Sequence, residues 1–159
     1  MSRPVRVIGV GSPHGDDAVA WAVIAQARAR DWPPGVEFHQ VDGGQRLLEL
    51  LDGRGTLFLI DALAPTGSPG VVRRFVWPAP QLEVLRSGST HDLRPAEALG
   101  LADSLGLLPS RVVVWGIEGA CFDPCADLSP TVAVAVPALV QAITEELQTL
   151  YAEEGHPHA

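Results

Sequence analysis

The spacing of apolar positions changes repeatedly along the chain, and each change predicts an element. Val5, Val7, Ile8 and Val10 form a short apolar run that reads as a buried strand. Gly9, Gly11, Pro13 and Gly15 then mark a turn that needs unusual backbone angles or close approach. Ala20, Val23, Ile24 and Ala27 recur at helical spacing, which puts Asp16 and Asp17 in the expected first turn of that helix. A Trp-Pro-Pro-Gly turn at 32–35 leads to an alternating strand over 36–41. Gly43 and Gly44 open a leucine-rich helix over 45–51, stopped by Gly53. Residues 56–60 are apolar without alternation, the pattern of a central strand covered on both faces, and Asp61 is expected directly after it.

The second half is less regular. Residues 71–77 predict a strand at the sheet edge, a hairpin partner with paired arginines and prolines behind it. Thr90 or Asp92 is expected to cap the next helix, with Pro95 in its first turn and Leu101 and Leu105 on one face. The last strand is expected over 111–115. Ser129-Pro130 then starts a final helix, whose apolar spacing through Leu139, Val140, Ile143, Leu147 and Leu150 overrides the alternating Val132, Val134 and Val136. Pro137 is expected to kink or restart it. Strand, glycine turn and helix open an α/β fold, in which ligands gather beyond the carboxyl ends of the strands. No repeat or linker divides the chain: residues 1–151 read as one domain and 152–159 as a frayed tail.

Composition narrows the partners. With 47% hydrophobic and 19% charged residues, the 159-residue chain is an ordinary globular one. A net charge of −8 argues against nucleic acid or an anionic membrane surface. All eleven basic residues are arginine, which removes lysine Schiff-base and P-loop chemistry. No apolar run reaches membrane-spanning length and no signal-peptide pattern opens the chain, so no membrane insertion and a cytoplasmic location are expected. Cys121 and Cys125 make a poor zinc site without further ligands nearby, and read as reduced thiols of structural or incidental character.

The candidate chemistry lies in acids and one histidine. Asp16 and Asp17 read either as a capping pair or as acids entering the crevice. The glycine turn matches the dinucleotide-binding fingerprint imperfectly, because His14 stands where its third glycine belongs. Asp42 is placed like a ribose-binding acid, yet two carboxylates would repel the pyrophosphate. Asp61 reads as a turn acid or a group at the same sheet edge, and His91 as a surface residue or a ligand before a helix. Two carboxylates and an imidazole suit a divalent cation such as nickel, zinc, cobalt or manganese, with coordination positions left open.

The motifs Gly9-Val-Gly11 with Gly15-Asp-Asp17, Leu59-Ile-Asp-Ala62 with Pro69-Gly70, Ser89-Thr-His91, Val114-Trp-Gly-Ile117 and Leu128-Ser129 form a set. In this order and spacing the chain resembles the hydrogenase maturation proteases. These are endopeptidases that remove the carboxyl-terminal extension of a nickel–iron hydrogenase large subunit. The resemblance runs from Val5 to about Leu150. It implies a single three-layer α/β domain, with a twisted, mainly parallel sheet and helices on both faces. It also implies Asp17, Asp61 and His91 as the catalytic and metal-contacting positions, acting on nickel supplied by the substrate precursor, with no tightly bound metal of the protease's own. Ser12 replaces the family's usual asparagine, the turn is one residue shorter, and His14 enters it. Asp16 is expected to support the site while Asp17 leads it. The rival readings are a nickel-binding assembly chaperone without enzymatic activity and a nucleotide-binding α/β protein.

Overall fold

In the computed structural model, which describes residues 3–80, 93–124 and 126–153, the first apolar run is β1 (Val5–Val10). A 3-10 turn (Gly15–Ala18) leads into α1 (Val19–Arg28), and β2 (Val36–Val41), α2 (Gly44–Glu49) and β3 (Thr56–Leu63) follow. After β4 (Val72–Val76) come α3 (Pro95–Ser104), β5 (Arg111–Glu118) and α4 (Pro130–Glu153). The strands form one sheet in the order β2-β1-β3-β5-β4. β1, β2, β3 and β5 run parallel, and β4 joins β5 antiparallel at the edge.

Each face of the sheet takes its own pair of helices. Val7, Phe58, Ile60, Val113 and Ile117 pack under α1 and α4, while Ile8, Val10, Leu57, Leu59 and Val114 pack under α2 and α3. Both faces being covered, every residue of β3 is buried, as its unbroken apolar run predicts. Fully burying a side chain such as Phe58 or Leu59 contributes roughly 1.5–3 kcal/mol.

The structure corrects several expectations. The two central strands are longer than their apolar runs, because β3 and β5 remain paired through Asp61–Gly116, Ala62–Ile117 and Leu63–Glu118. Asp61 therefore lies inside β3, not after it. β4 is an edge strand as expected, but its partner is β5, reached through α3, so it forms no hairpin with β3. Thr90 and Asp92 lie outside the described residues; the residue before α3 is Arg94, extended and without a side-chain cap, and Pro95 takes the first helical position. Leu101 and Leu105 are exposed, and α3 buries Ala98, Leu99 and Ala102 instead. α4 continues through Pro137 as one helix.

Candidate active site

The order β2-β1-β3 means that β1 lies between the strands reached by its first and second crossovers. The chain leaves β1 with α1 on one face and returns to β3 after α2 on the other. The carboxyl ends of β1 and β3 thus bracket a topological switch point, where open α/β sheets bind ligands. Two of the acids singled out by sequence stand there.

Asp16 has a different task. It is fully buried, and its carboxylate accepts the N–H groups of Ala120 (2.7 Å), Cys121 (2.9 Å) and Ser129 (2.7 Å) and the Ser129 hydroxyl (2.8 Å). The backbone bonds run the other way, with Asp16 N–H donating to the Cys121 carbonyl (2.7 Å) and Gly15 N–H to that of Ala126 (3.0 Å). Gly15 makes this clasp possible: its φ is 56°, and a Cβ would sit 2.4 Å from the Cys121 carbonyl oxygen. Burial pushes the Asp16 carboxyl up, but the amides of Cys121, Ala120 and Ser129 and the Ser129 hydroxyl outweigh it and hold it below the usual carboxylate value. Asp16 does not cap its own helix, as one reading had it. It ties the β5–α4 loop to the end of β1.

Asp17 follows in the same 3-10 turn and is 5% exposed. The turn packs against β3. Asp61 is fully buried, and its Oδ1 accepts the Ala62 N–H at 2.8 Å. Alternation along β3 puts it on the α2–α3 face with Leu59 and Leu63. His91 lies outside the described residues. Leu93 belongs to this edge: its carbonyl accepts Gly44 N–H at 2.9 Å, at the start of α2. Among the described residues no three acidic, histidine or cysteine groups are placed to hold a metal ion.

The turn offers a phosphate nothing to bind. Gly11 N–H donates to Val41, Ser12 to Asp17, Asp17 to His14, and Gly15 and Asp16 across to the β5–α4 loop, all to backbone carbonyls. Pro13 has no N–H, and the His14 N–H points at the Ser12 hydroxyl (3.4 Å). With its donors spent and Asp16 and Asp17 behind them, this turn is not a pyrophosphate cradle. The His14 side chain is exposed. Asp42 faces a groove of about 440 Å³ lined also by Trp21, His39, Arg46 and Glu49, beside the edge strand β2, and Asp61 is not among its lining residues.

Sequence reasoning passed over Glu118. It ends β5 beside Leu63, is 1% exposed, and accepts the Thr66 hydroxyl and the Ser68 N–H (2.5 Å), with Arg73 at 3.9 Å. The Thr66 hydroxyl is the main cause holding its carboxyl below the usual value; burial opposes, and the Thr66 and Ser68 amides and the Arg73 guanidinium assist. Glu118 thereby pins the β3–β4 loop that begins after Leu63. The only signal was its place at the end of an apolar run, read as a strand three residues too short. Cys121 is a free thiol whose backbone, not its sulfur, serves the Asp16 clasp. Cys125 lies outside the described residues.

Buried carboxylates thus stand at the switch point of a mainly parallel five-stranded α/β sheet. The chain belongs to the hydrogenase maturation protease family, whose HycI model matches residues 28–146, and it is accordingly a peptidase. That match spans Asp61 and His91 and begins after Asp17. Solved structures extend the likeness of fold across the amino-terminal turn. The hydrogenase maturating endopeptidase HybD from E. coli is 23% identical with a TM-score of 0.74, covering 96% of this chain and 94% of that one. The NiFe hydrogenase maturation protease HycI from Thermococcus kodakarensis KOD1 is 18% identical with a TM-score of 0.68, covering 91% and 92%. The hydrogenase 2 maturation peptidase from Thaumarchaeota archaeon SCGC_AB-539-E09 is 22% identical with a TM-score of 0.66, covering 91% and 97%. No curated protein matches the chain significantly. Among the described residues no helix is long and apolar enough to cross a membrane.

Proposed function

We propose that this protease removes the carboxyl-terminal extension of a nickel–iron hydrogenase large-subunit precursor, and does so once nickel is in place. Asp17, Asp61 and His91 would contact that nickel, which arrives with the substrate, held by the precursor's own cysteines. The observation that carries the reading is the pair of acids at the switch point, Asp17 at 5% and Asp61 at 0% exposure, in a chain of this family.

The ligand chemistry also favours a substrate-borne metal. Two aspartates and one imidazole, without a thiolate, hold a divalent ion weakly by themselves, and the precursor's thiolates complete the shell. Docking on the metal then fixes the scissile peptide beside the acids, supplying proximity and orientation. Water adds to the scissile carbonyl, the C–N bond breaks and the leaving nitrogen takes a proton. The substrate's metal and the carboxylates at this edge are the groups able to polarise that carbonyl or activate the water.

The test is the intact mass of a nickel-loaded large subunit before and after incubation with the protease. Loss of one carboxyl-terminal peptide with wild type, and none with Asp61→Asn, is the expected result. An unchanged mass with wild type, under conditions where a known processing enzyme cuts, would favour a nickel-binding assembly factor instead.

A further inference from the structure

β2 is the last strand on its side of the sheet, and its outer edge has no neighbouring strand. Val5 N–H donates to the Gly35 carbonyl (2.9 Å) and Gly11 N–H to that of Val41 (3.0 Å), so the odd-numbered backbone groups of β2 face β1. The N–H and C=O groups of Phe38 and Gln40 therefore point outward. Arg28 covers the first of these, donating to the Phe38 carbonyl at 3.0 Å. From Gln40 to Asp42 the edge stays open among the described residues, and there the groove of about 440 Å³ lies against it. Its walls come from both faces of the sheet, Trp21 from α1 and Arg46 and Glu49 from α2. An unpaired strand edge for a floor and helices of opposite faces for walls make a slot for one further strand. Such edges template the pairing of another extended chain, a mode by which proteins take up peptides.

Three features say what fills the slot. Its pairing groups are backbone N–H and C=O at strand spacing, which an extended backbone matches. Its open length is short: with Arg28 closing the first half of the edge, two copies of β2 would pair over only about three residues, too few to hold a dimer. Its place is beside the acids. The Val41 carbonyl, at the end of the slot, accepts both Gly11 N–H, leading into the turn that carries Asp17, and Trp21 Nε1–H, from the slot's own wall (3.0 Å each). Charge agrees as well: Arg46 faces Glu49 at 3.8 Å, so Asp42 leaves the groove acidic and suited to a neutral or basic segment. An added strand here lies three strand spacings from β3, about 14 Å, a distance that roughly four extended residues span. We infer that this groove holds the precursor's carboxyl-terminal extension as a strand added to β2, starting roughly four residues beyond the scissile bond. The inference rests on the function proposed above.

The test uses the full chain, a nickel-loaded precursor and synthetic peptides copying the precursor's carboxyl-terminal extension. Each peptide carries one N-methylated amide, and binding is followed by the shift of the Gln40 amide in the 15N-labelled protease. Affinity is expected to fall by about tenfold at alternate positions only, because every second N–H of an added strand faces β2. On the protein side, Gln40→Pro removes the outward N–H and leaves the bonds to β1 in place. It is expected to lower kcat/KM on the precursor by about tenfold relative to Gln40→Ala, which lacks the same side chain but keeps the N–H. Should Gln40→Pro lower the melting temperature, the methylation scan decides alone. Losses at every position or at none, no shift of the Gln40 amide at millimolar peptide, or equal kcat/KM in the two variants would overturn the added strand. If wild type still cuts in those cases, the proposed function stands. Alternating losses with a wild type that never cuts would support the added strand and overturn the function.

Discussion

Asp16 and Asp17 are chemically identical neighbours, and what separates them is the company each keeps. Both oxygens of Asp16 are engaged by donors more than a hundred residues away, at Ala120, Cys121 and Ser129, contacts that no local pattern in the sequence displays. Spacing suggested that one acid supports the other; only the β5–α4 loop shows how. Asp16→Asn leaves an NH2 group facing at least one backbone N–H, and the unmade bonds should cost about 2–4 kcal/mol. In a chain of this size the melting temperature should fall by roughly 5–15 °C, readable by calorimetry. The pH dependence has a definite sign. The folded Asp16 carboxyl titrates below its unfolded value, so its stabilisation is complete above about pH 4 and fades as pH falls through the lower folded value. Asp16→Asn should remove that acid-side loss, so that the two proteins converge in stability at low pH. Asp17→Asn and Asp61→Asn should show the opposite division, with cleavage reduced by about a hundredfold or more and far smaller changes in melting temperature than Asp16→Asn. Normal cleavage by Asp17→Asn would contradict the assignment of the acids.

Most elements were legible because local periodicity decided them, and the errors fall where distant partners decided. Apolar runs ending at Ile60 and Trp115 predict two short strands. The structure extends each by three residues, because the strands pair with each other past Asp61 and Gly116. α4 absorbs Pro137 because that residue is exposed, as is Ala133, whose carbonyl loses its helical donor and can turn to water. Leu101 and Leu105 fit a helical face in the sequence, but the sheet selects the Ala98, Leu99 and Ala102 side of α3. The β3–β4 loop depends on contacts of the same distant kind. Gly70 has φ 87° and sits against the Thr131 backbone, so Gly70→Ala imposes both a left-handed conformation and a clash. The variant should lose about 1–3 kcal/mol in chemical denaturation. It should also cleave more slowly, because this loop follows the strand that carries Asp61. A neutral Gly70→Ala would mean that the loop does not rest on α4 as described.

At the scale of the molecule, the α/β class could be read from one strand–turn–helix unit, whereas the strand order could not. β4 pairs with β5 across an intervening helix, a choice made by the sheet edge and not by the chain's neighbours. The switch point followed from the order β2-β1-β3, and it brings to one edge two acids that stand 44 positions apart in the sequence. Local motifs carried the family resemblance, and the HycI model bears that membership out over residues 28–146. The central claim that remains is a dependence on the substrate's metal. It is tested most directly by the rate of carboxyl-terminal cleavage, followed by mass spectrometry, on one large-subunit precursor prepared with and without nickel. The account predicts cleavage of the nickel-loaded form and sparing of the nickel-free form, by a protease purified without stoichiometric metal. Equal rates on the two forms would contradict it, even with the protease fully active.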